Sequence, residues 1–255
     1  MDIAGRKIML TGASGGLGTA TALELHRQGA QLVLTARRKE LLDQLAATTG
    51  AEVVVADLSS HDDVAMLCER AKEMDALVLN AGTGADGDVT TLTPEVVDFV
   101  IDVNLRSPIV MTSAFAQHKV ATGEEGQVVL IGSLSGLVAT PNTQMYNATK
   151  FGLRGFALAA RQDLEHTRVG ITLLAPGFIR DAGMFAENDV TLPPGVRTKA
   201  PQDVANGVVK AIRTNPAEVY VSPAELRLAA TLCTVAPGIS ERIQKRMDTK
   251  KMSGG

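Results

Sequence analysis

Short apolar runs alternate along this chain with longer stretches in which apolar residues recur every three or four positions. The runs "KIML" (Lys7 to Leu10), "QLVLT" (Gln31 to Thr35), "EVVVA" (Glu52 to Ala56) and "ALVLN" (Ala76 to Asn80) predict strands. So do "QVVLIG" (Gln127 to Gly132), "GITLLA" (Gly170 to Ala175) and "EVYVS" (Glu218 to Ser222). Several are apolar at successive positions, the mark of a strand covered on both faces. Helix-period segments separate them, including Gly16 to Gln28, Glu40 to Thr48, His61 to Lys72 and a long run from Tyr146 to about His166. Strand and helix in strict alternation predict an α/β fold, a doubly wound parallel sheet of about seven strands with helices on both faces.

Low-complexity linkers are absent and no repeat exceeds this alternation, so 1–255 is expected to form one Rossmann-like domain. The rhythm breaks twice. After "APG" (Ala175 to Gly177) an irregular insert with Gly183 and "PPG" (Pro193 to Gly195) predicts a substrate lid loop over 178–200. A C-terminal extension over 223–255 is helical in part, then polar.

Composition narrows the function classes. In 255 residues, 45% are hydrophobic, enough for a large core. A net charge of −3 with 3% aromatics and no Trp argues against nucleic-acid binding. Cys68 and Cys233 are far apart, which predicts free thiols and no metal site. The polar opening "MDIAGRK" carries no cleavable signal, and "LAATLCTVAPGI" (Leu228 to Ile239) is too short and Pro-broken to span a bilayer. A soluble, cytoplasmic protein is expected.

"TGASGGLG" (Thr11 to Gly18) joins the first strand to the first helix. Glycines at 12, 16 and 18 permit a tight turn and close approach to a pyrophosphate, and the helix start adds unpaired N–H groups. The alternative is a glycine-rich turn with no ligand; its place after the first strand of an alternating chain favours a dinucleotide. A site for NAD commonly has Asp or Glu at the end of the second strand. This chain has Ala36, Arg37 and Arg38. Arginine can clamp a 2′-phosphate with paired donors, which points to NADP(H) rather than NAD(H). Two solvated surface arginines are the competing reading. Asp57, after the third strand, meets either the adenine amino group or a helix cap.

"YNATK" opens the long helix after the fifth strand, so Tyr146 and Lys150 share a face. Free tyrosine titrates near 10. A neighbouring ammonium favours the phenolate and fits the phenol for proton transfer near neutral pH. The pair alone is common by chance. Its context is Ser133, at the end of the fifth strand, where a parallel sheet faces its ligand crevice. That hydroxyl can hold a substrate oxygen, or it can simply form a turn, as Ser135 does in the alternative reading. Asn104, in "DVNLR", is a weak helix former inside a helix. It either bends that helix and holds a water near Lys150 or is a polar surface residue.

Taken together, "TGASGGLG", "ADL", "LNAG", "VNL", "IGSLSG", "YNATK" and "APG" resemble, in order and spacing over Thr11 to Gly177, the short-chain dehydrogenase/reductase family in its branch of about 250 residues. The resemblance implies a Rossmann-like fold and a catalytic set of Asn104, Ser133, Tyr146 and Lys150. Tyr146 would pass the proton, Ser133 would orient the carbonyl or hydroxyl, and Lys150 would bind the nicotinamide ribose and lower the tyrosine pKa. Asn104 would anchor a water relay to Lys150. It implies cofactor contacts at Gly12, Ser14, Gly16, Leu17, Gly18, Arg37, Arg38, Asp57, Leu58, Asn80, Ala81, Gly82, Tyr146, Lys150, Pro176, Gly177 and Ile179, with "NAG" beside the ribose. The first Asn of the family's "NNAG" is Leu79 here. Where the family often has a Thr contacting the carboxamide, this chain has Asp181, so the Ile179 backbone is expected to serve.

The expected substrate walls are Leu134, Leu137, Met145, Phe178, Met184 and Phe185, which are mostly apolar and predict a hydrophobic ketone or alcohol. Taken singly, each is as readily a core residue. Arg180 is expected to face water. Leu228, Leu232 and Val235 recur at helical spacing and are expected to pack on their own domain. Capping the cleft, packing a partner chain and touching a membrane surface are the other readings. Gly152, Gly155 and Ala159 on the long helix permit close helix approach, and the family resemblance implies a homo-oligomer, dimer or tetramer. The leading reading is an NADP(H)-dependent oxidoreductase acting on a small-molecule carbonyl or alcohol. A cofactor-binding protein without turnover, or an isomerase or dehydratase on the same scaffold, are the alternatives.

Overall fold

Seven strands run parallel in one sheet, in the order β3-β2-β1-β4-β5-β6-β7. The computed structural model describes residues 1–84, 87–181, 197–236 and 238. The strands are β1 (Lys7–Thr11), β2 (Gln31–Ala36), β3 (Glu52–Val55), β4 (Ala76–Leu79), β5 (Gly126–Ile131), β6 (Val169–Pro176) and β7 (Glu218–Val221). Each lies at a run read as a strand from its apolar pattern. The central ones explain why: every residue of β4, β5 and β6 is buried. A strand covered on both faces excludes polar side chains from both, so its sequence is continuous rather than alternating.

Helices α1 (Gly16–Arg27), α2 (Lys39–Thr49), α3 (His61–Ala71), α4 (Pro94–Ile101), α5 (Ser107–Thr122), α6 (Gln144–Asp163), α7 (Pro201–Thr214) and α8 (Ala224–Val235) complete the described elements. They split into two layers, each with its own core. On one face Leu25 of α1, Leu42 of α2 and Val208 and Ile212 of α7 meet Leu10, Leu34 and Leu174 of the sheet. On the other, Leu67 of α3, Met111 and Phe115 of α5 and Leu153 of α6 meet Met9, Leu77, Val128 and Leu173. Successive residues of one strand thus feed opposite cores, Met9 one and Leu10 the other, as the two-residue period of a strand requires.

Strand order reverses between β1 and β4, which pair directly, with Ile8 opposite Ala76 and Leu10 opposite Val78. The loops leaving β1 and β4 then diverge to opposite faces and open a crevice at the carboxyl ends of the strands. β5 and β6 extend that edge, so the loops after Ile131 and Pro176 reach the same crevice.

Two expectations are corrected. The α8 stripe does not pack on its own domain: Leu228, Leu232 and Val235 are 62%, 60% and 82% exposed. The helix leans on the body along Ala230, Thr234 and Arg227, whose guanidinium stacks on the Tyr220 ring at 4.3 Å. At 3.6 residues per turn the stripe falls on the opposite side. Gly152, expected on an open face of α6, is used within the chain, since a Cβ there would stand 3.2 Å from the Leu105 side chain. Gly155 has open space before it, and Phe151 beside it is exposed. Of the lid expected over 178–200, residues 182–196 lie outside the described residues, as does most of the extension beyond Ala236.

Candidate active site

The turn after β1 is built by exclusion. Gly12 sits at φ +67, and a Cβ there would stand 2.7 Å from Ala81 Cα. A Cβ on Gly18 would collide with the Gly12 carbonyl and stand 2.7 Å from Ala13 Cα. Only glycine satisfies both, so the first turn of α1 folds tightly back on the end of β1. Gly15 caps α1 without a side-chain acceptor, and the first turn carries no acid. Its N–H groups are left for an external anion, and the positive helix end favours one. Ser14, Gly16 and Leu17 line this turn, with Leu17 packed inward on the core.

Asn80 carries out a task that its sequence did not indicate. Its amide donates to the Thr11 carbonyl at 3.0 Å and the Gly12 carbonyl at 3.2 Å. The Thr11 hydroxyl oxygen in turn accepts from the N–H groups of Asn80 and Ala81 at 3.0 and 3.1 Å. The "NAG" stretch therefore locks the β1 turn, and the Asn80 amide is a positioning group there.

At the end of β2 the two arginines part company. Arg38 crosses to the turn, donating from Nε to Ser14 Oγ at 3.3 Å and from its terminal nitrogen to the Ser14 carbonyl at 2.8 Å. Arg37 faces Asp57 at 3.8 Å, with both side chains partly in solvent. Asp57 is not the cap of α3. That is Ser60, whose hydroxyl accepts from the Asp63 N–H. Asp57 folds onto Ser59 instead, accepting from its N–H at 2.9 Å and its hydroxyl at 2.8 Å. Burial pushes the Asp57 carboxyl up, but the Ser59 hydrogen bonds and the Arg37 charge outweigh it and hold the group below the usual carboxylate range. The neighbouring Leu58 carbonyl accepts from the Ser107 hydroxyl at 2.6 Å, tying this edge to α5.

Tyr146 and Lys150 do share a face of α6. The Lys150 Nζ lies 5.5 Å from the centroid of the Tyr146 ring. It is buried and donates to the Ile131 carbonyl, the last residue of β5, at 2.9 Å. Burial alone lowers Lys150 to about 8. Two residues beyond Ile131, Ser133 begins a short 3-10 turn (Leu134–Gly136) in extended conformation. Its hydroxyl oxygen accepts from the Ser135 N–H at 3.0 Å, which fixes the oxygen and leaves its proton to donate elsewhere. Ser133 is thus both the turn serine and the group at the strand end, and the two readings of it do not compete.

Asn104 lies in a π-helical segment (Asp102–Arg106) between α4 and α5. The bend expected of an interior asparagine is this widened turn. The side chain is buried and pairs with the backbone of Thr83 at both ends, accepting at 2.8 Å and donating at 2.7 Å. It also donates to Thr149 Oγ1 at 3.3 Å. A Cβ built on Gly82 would lie 3.5 Å from Asn104 Oδ1 and 3.6 Å from Lys150 Nζ, so both groups converge on that glycine. The Asn104 amide is thereby committed to the β4 loop. Its visible task is to hold that loop against α6.

Asn147 went unnoticed in the sequence, although it follows the tyrosine directly. It is buried and donates to the carbonyls of Ser135 and Val138 at 2.9 and 2.8 Å. It accepts from the Thr140 N–H at 3.1 Å and the Thr143 hydroxyl at 2.7 Å. One side chain thereby ties the loop bearing Ser133 to the helix bearing Tyr146. Its asparagine next to "Y" was the only signal, and nothing local distinguishes it from a surface amide.

On the far wall, Gly177 donates to the Val221 carbonyl at 3.0 Å, and a Cβ on it would meet Ser222 Cβ at 2.9 Å and Leu134 Cδ1 at 3.1 Å. Pro176 thus ends β6 against the Ser133 loop. The Phe178 carbonyl and the Arg180 N–H both pair with Lys199, at 2.9 Å each. In such a parallel bridge the N–H of Ile179 points the other way, while its side chain is buried in the core. Asp181, with φ +65, is exposed and its carboxylate faces Arg180 at 3.4 Å. The acid that stands where a threonine was expected therefore turns out to solvent. Of the expected substrate walls, Leu134 borders Gly177, Met145 and Phe178 are half-buried, and Leu137 is buried, its carbonyl accepting from the Thr234 hydroxyl of α8. Met184 and Phe185 lie outside the described residues.

A family model described as short chain dehydrogenase matches residues 6–191. The chain belongs to the short-chain dehydrogenase family. It is 35% identical over 194 residues to Nodulation protein G of Rhizobium sp. (strain N33), covering 74% of this chain and 79% of that one. It is 29% identical to Ketoacyl reductase HetN of Nostoc sp. (strain PCC 7120) over 245 residues, 92% of this chain and 85% of the relative. The crystal structure of a short-chain dehydrogenase from Burkholderia cenocepacia J2315 in complex with NADP superposes with a TM-score of 0.79 at 25% identity, over 96% of this chain and 98% of that one. The seven-stranded parallel sheet is thus the Rossmann-like fold of an oxidoreductase family.

Proposed function

We propose that this short-chain dehydrogenase is an NADP(H)-dependent reductase that interconverts a carbonyl and a secondary alcohol on a hydrophobic substrate, with Tyr146 as the proton-transfer group. The reading rests on one observation above the others: a buried ammonium, Lys150, held by β5 next to the Tyr146 ring and beside the Ser133 loop. The uncapped start of α1 and the tight Gly12 turn fit a pyrophosphate, and Arg37 and Arg38, at the end of β2, supply guanidinium donors suited to a 2′-phosphate. The NADP-bound relative and the ketoacyl reductase relative support the cofactor and an acyl-like carbonyl substrate.

NADP(H), when bound, supplies or accepts the hydride at its nicotinamide ring. This chain's residues do the rest. Ser133 donates its free hydroxyl proton to the substrate oxygen and holds it beside the phenol. As negative charge develops there, Tyr146 passes its proton to that oxygen, and the phenolate left behind is stabilised by the Lys150 ammonium. Asn104 and Asn147 hold the β4 loop and the Ser133 loop against α6, so the donors keep their spacing. Leu134 and Met145 exclude water from the reacting oxygen. The outer face of α6, with Phe151 exposed and Gly155 bare, fits a second copy of the chain, and the assembly is proposed as a homo-oligomer.

The test is a panel of ketones, β-ketoacyl thioesters and alcohols followed at the nicotinamide absorbance with both cofactors. Turnover of apolar ketones with NADPH, lost in Tyr146→Phe, is the expected result. Full turnover in that variant removes the mechanism, and equal affinity for NAD(H) and NADP(H) removes the cofactor assignment.

A further inference from the structure

We propose that α8 docks the protein on an anionic lipid surface. Leu228, Leu232 and Val235 form one outward line on α8 and are the three most exposed of its large apolar residues. An exposed leucine is ordinary, but three on one helical face, with no covering element among the described residues, are a patch. The opposite face is fixed, because Thr234 donates to the Leu137 carbonyl at 2.9 Å and Arg227 stacks on Tyr220. The stripe cannot rotate inward without breaking both contacts.

A second, independent feature lies in the sequence beyond the helix. Ile239, Ile243 and Met247 repeat the four-residue spacing, and Arg242, Lys245, Arg246, Lys250 and Lys251 stand among them with Asp248 as the one acid between 242 and 251. The whole chain carries −3, so positive charge is gathered in this tail against the general balance. Basic residues that follow an exposed apolar face in sequence complement an anionic headgroup layer. Stable interfacial binding takes two signals, apolar insertion and a polybasic cluster, and α8 with its tail supplies both. No helix among the described residues is long and apolar enough to cross a membrane.

A second copy of the chain fits this face less well. Three side chains fall far short of the ~800 Å² per partner that a stable interface buries. A two-fold contact through α8 would also bring two basic tails together, whereas an anionic headgroup layer neutralises them. Docking by α8 would set the Ser133 loop, joined to it through Leu137, close to the bilayer.

Flotation of the 255-residue chain on vesicles tests this. With phosphatidylcholine containing about one-third phosphatidylglycerol the protein should float, and its partition should fall about tenfold on neutral phosphatidylcholine or in high salt. The combined variant Leu228→Ser, Leu232→Ser, Val235→Ser should lose about as much on anionic vesicles, since the apolar signal is gone. A second variant, Arg242→Gln, Lys245→Gln, Arg246→Gln, should lose binding while leaving the stripe intact, and it decides the matter if the serine variant melts early. NADPH affinity on the same samples reports folding separately from docking. Wild type remaining at the bottom with anionic vesicles overturns the proposal. So does flotation of both variants at the wild-type level, or a stripe substitution that halves the mass in light scattering while wild type never floats.

Discussion

Lys150 Nζ lies 5.5 Å from the centre of the Tyr146 ring and is held there by the Ile131 carbonyl. The ammonium is therefore fixed by the sheet, not by the phenol, and it stays in place when the hydroxyl is removed. Tyr146→Phe should accordingly lose turnover by about 10²- to 10⁴-fold while NADPH affinity changes little. Lys150→Met should lose both, because it removes the charge that faces the cofactor cleft. Stopped-flow binding beside steady-state rates separates the two. A Tyr146→Phe enzyme that binds NADPH poorly would make the tyrosine a structural residue.

The same burial sets a pH dependence. Lys150 is lowered from 10.5 to about 8 by desolvation. Reduction needs the ammonium and the protonated phenol together, so kcat/KM for reduction should be level below pH 7 and fall as pH rises through about 8. Stability moves the opposite way. Between about 8 and 10.5 the unfolded lysine holds its proton and the folded one has released it. The contribution of this group to stability thus grows with pH across that window, by about 3 kcal/mol at 1.36 kcal/mol per pKa unit, and is lost again as pH falls through 8. Denaturant melts of wild type against Lys150→Met should show wild type gaining on the variant from pH 8 to 10. Parallel curves would mean that the lysine is not desolvated.

Arg38 is tied to Ser14 at the glycine turn, whereas Arg37 is paired with Asp57. The cation nearer the phosphate turn should matter more. Arg38→Ala is expected to weaken NADPH about ten- to a hundredfold, as loss of a charge-assisted pair implies, and to leave NADH unchanged. Arg37→Ala should do less. Fluorescence titration with both cofactors measures it, and an equal loss for NADH would assign Arg38 to the turn alone.

On the outer face of α6, Gly155 meets open space and Phe151 is exposed. Gly155→Glu should reduce the assembly mass in light scattering at micromolar concentration, because a carboxylate in a close helix contact is buried without a partner. An unchanged mass would move the contact elsewhere or leave the chain monomeric.

How far the sequence spoke depended on the range of the cause. The strands were legible because burial on both faces writes itself into consecutive residues, as in β5. The glycine turn and the Tyr146–Lys150 pair were legible because both are short spacings in one segment. Asn104 stood out as a poor helix former, and the π-helical turn explains it, but its partner Thr83 lies 21 positions away. Asn80 and its hold on Thr11 span 69 positions, and the exposed side of α8 depends on where Tyr220 and Leu137 place that helix. Contacts of that separation leave no local pattern. Periodicity could show that Leu228, Leu232 and Val235 share a face, but not which way the face turns.

Asn147 gives the sharpest test of what the pattern missed. It spends its amide on Ser135 and Val138 and its oxygen on Thr140 and Thr143, all within the loop that carries Ser133. Asn147→Ala would leave several buried polar groups unpaired, each costing about 1–3 kcal/mol, so a drop in stability is expected. A merely structural residue would stop there. A positioning residue should also lower kcat more than it raises KM, because Ser133 would no longer be held at the distance that the phenol requires. Asn147→Asp keeps the acceptor and loses the donors to Ser135 and Val138, so it should resemble Asn147→Ala in kcat. NADPH affinity should stay near wild type in both, since the glycine turn is anchored by Asn80 on the other side of the crevice. If kcat survives once the folded fraction is allowed for, the clamp holds the loop's shape without setting the reacting geometry.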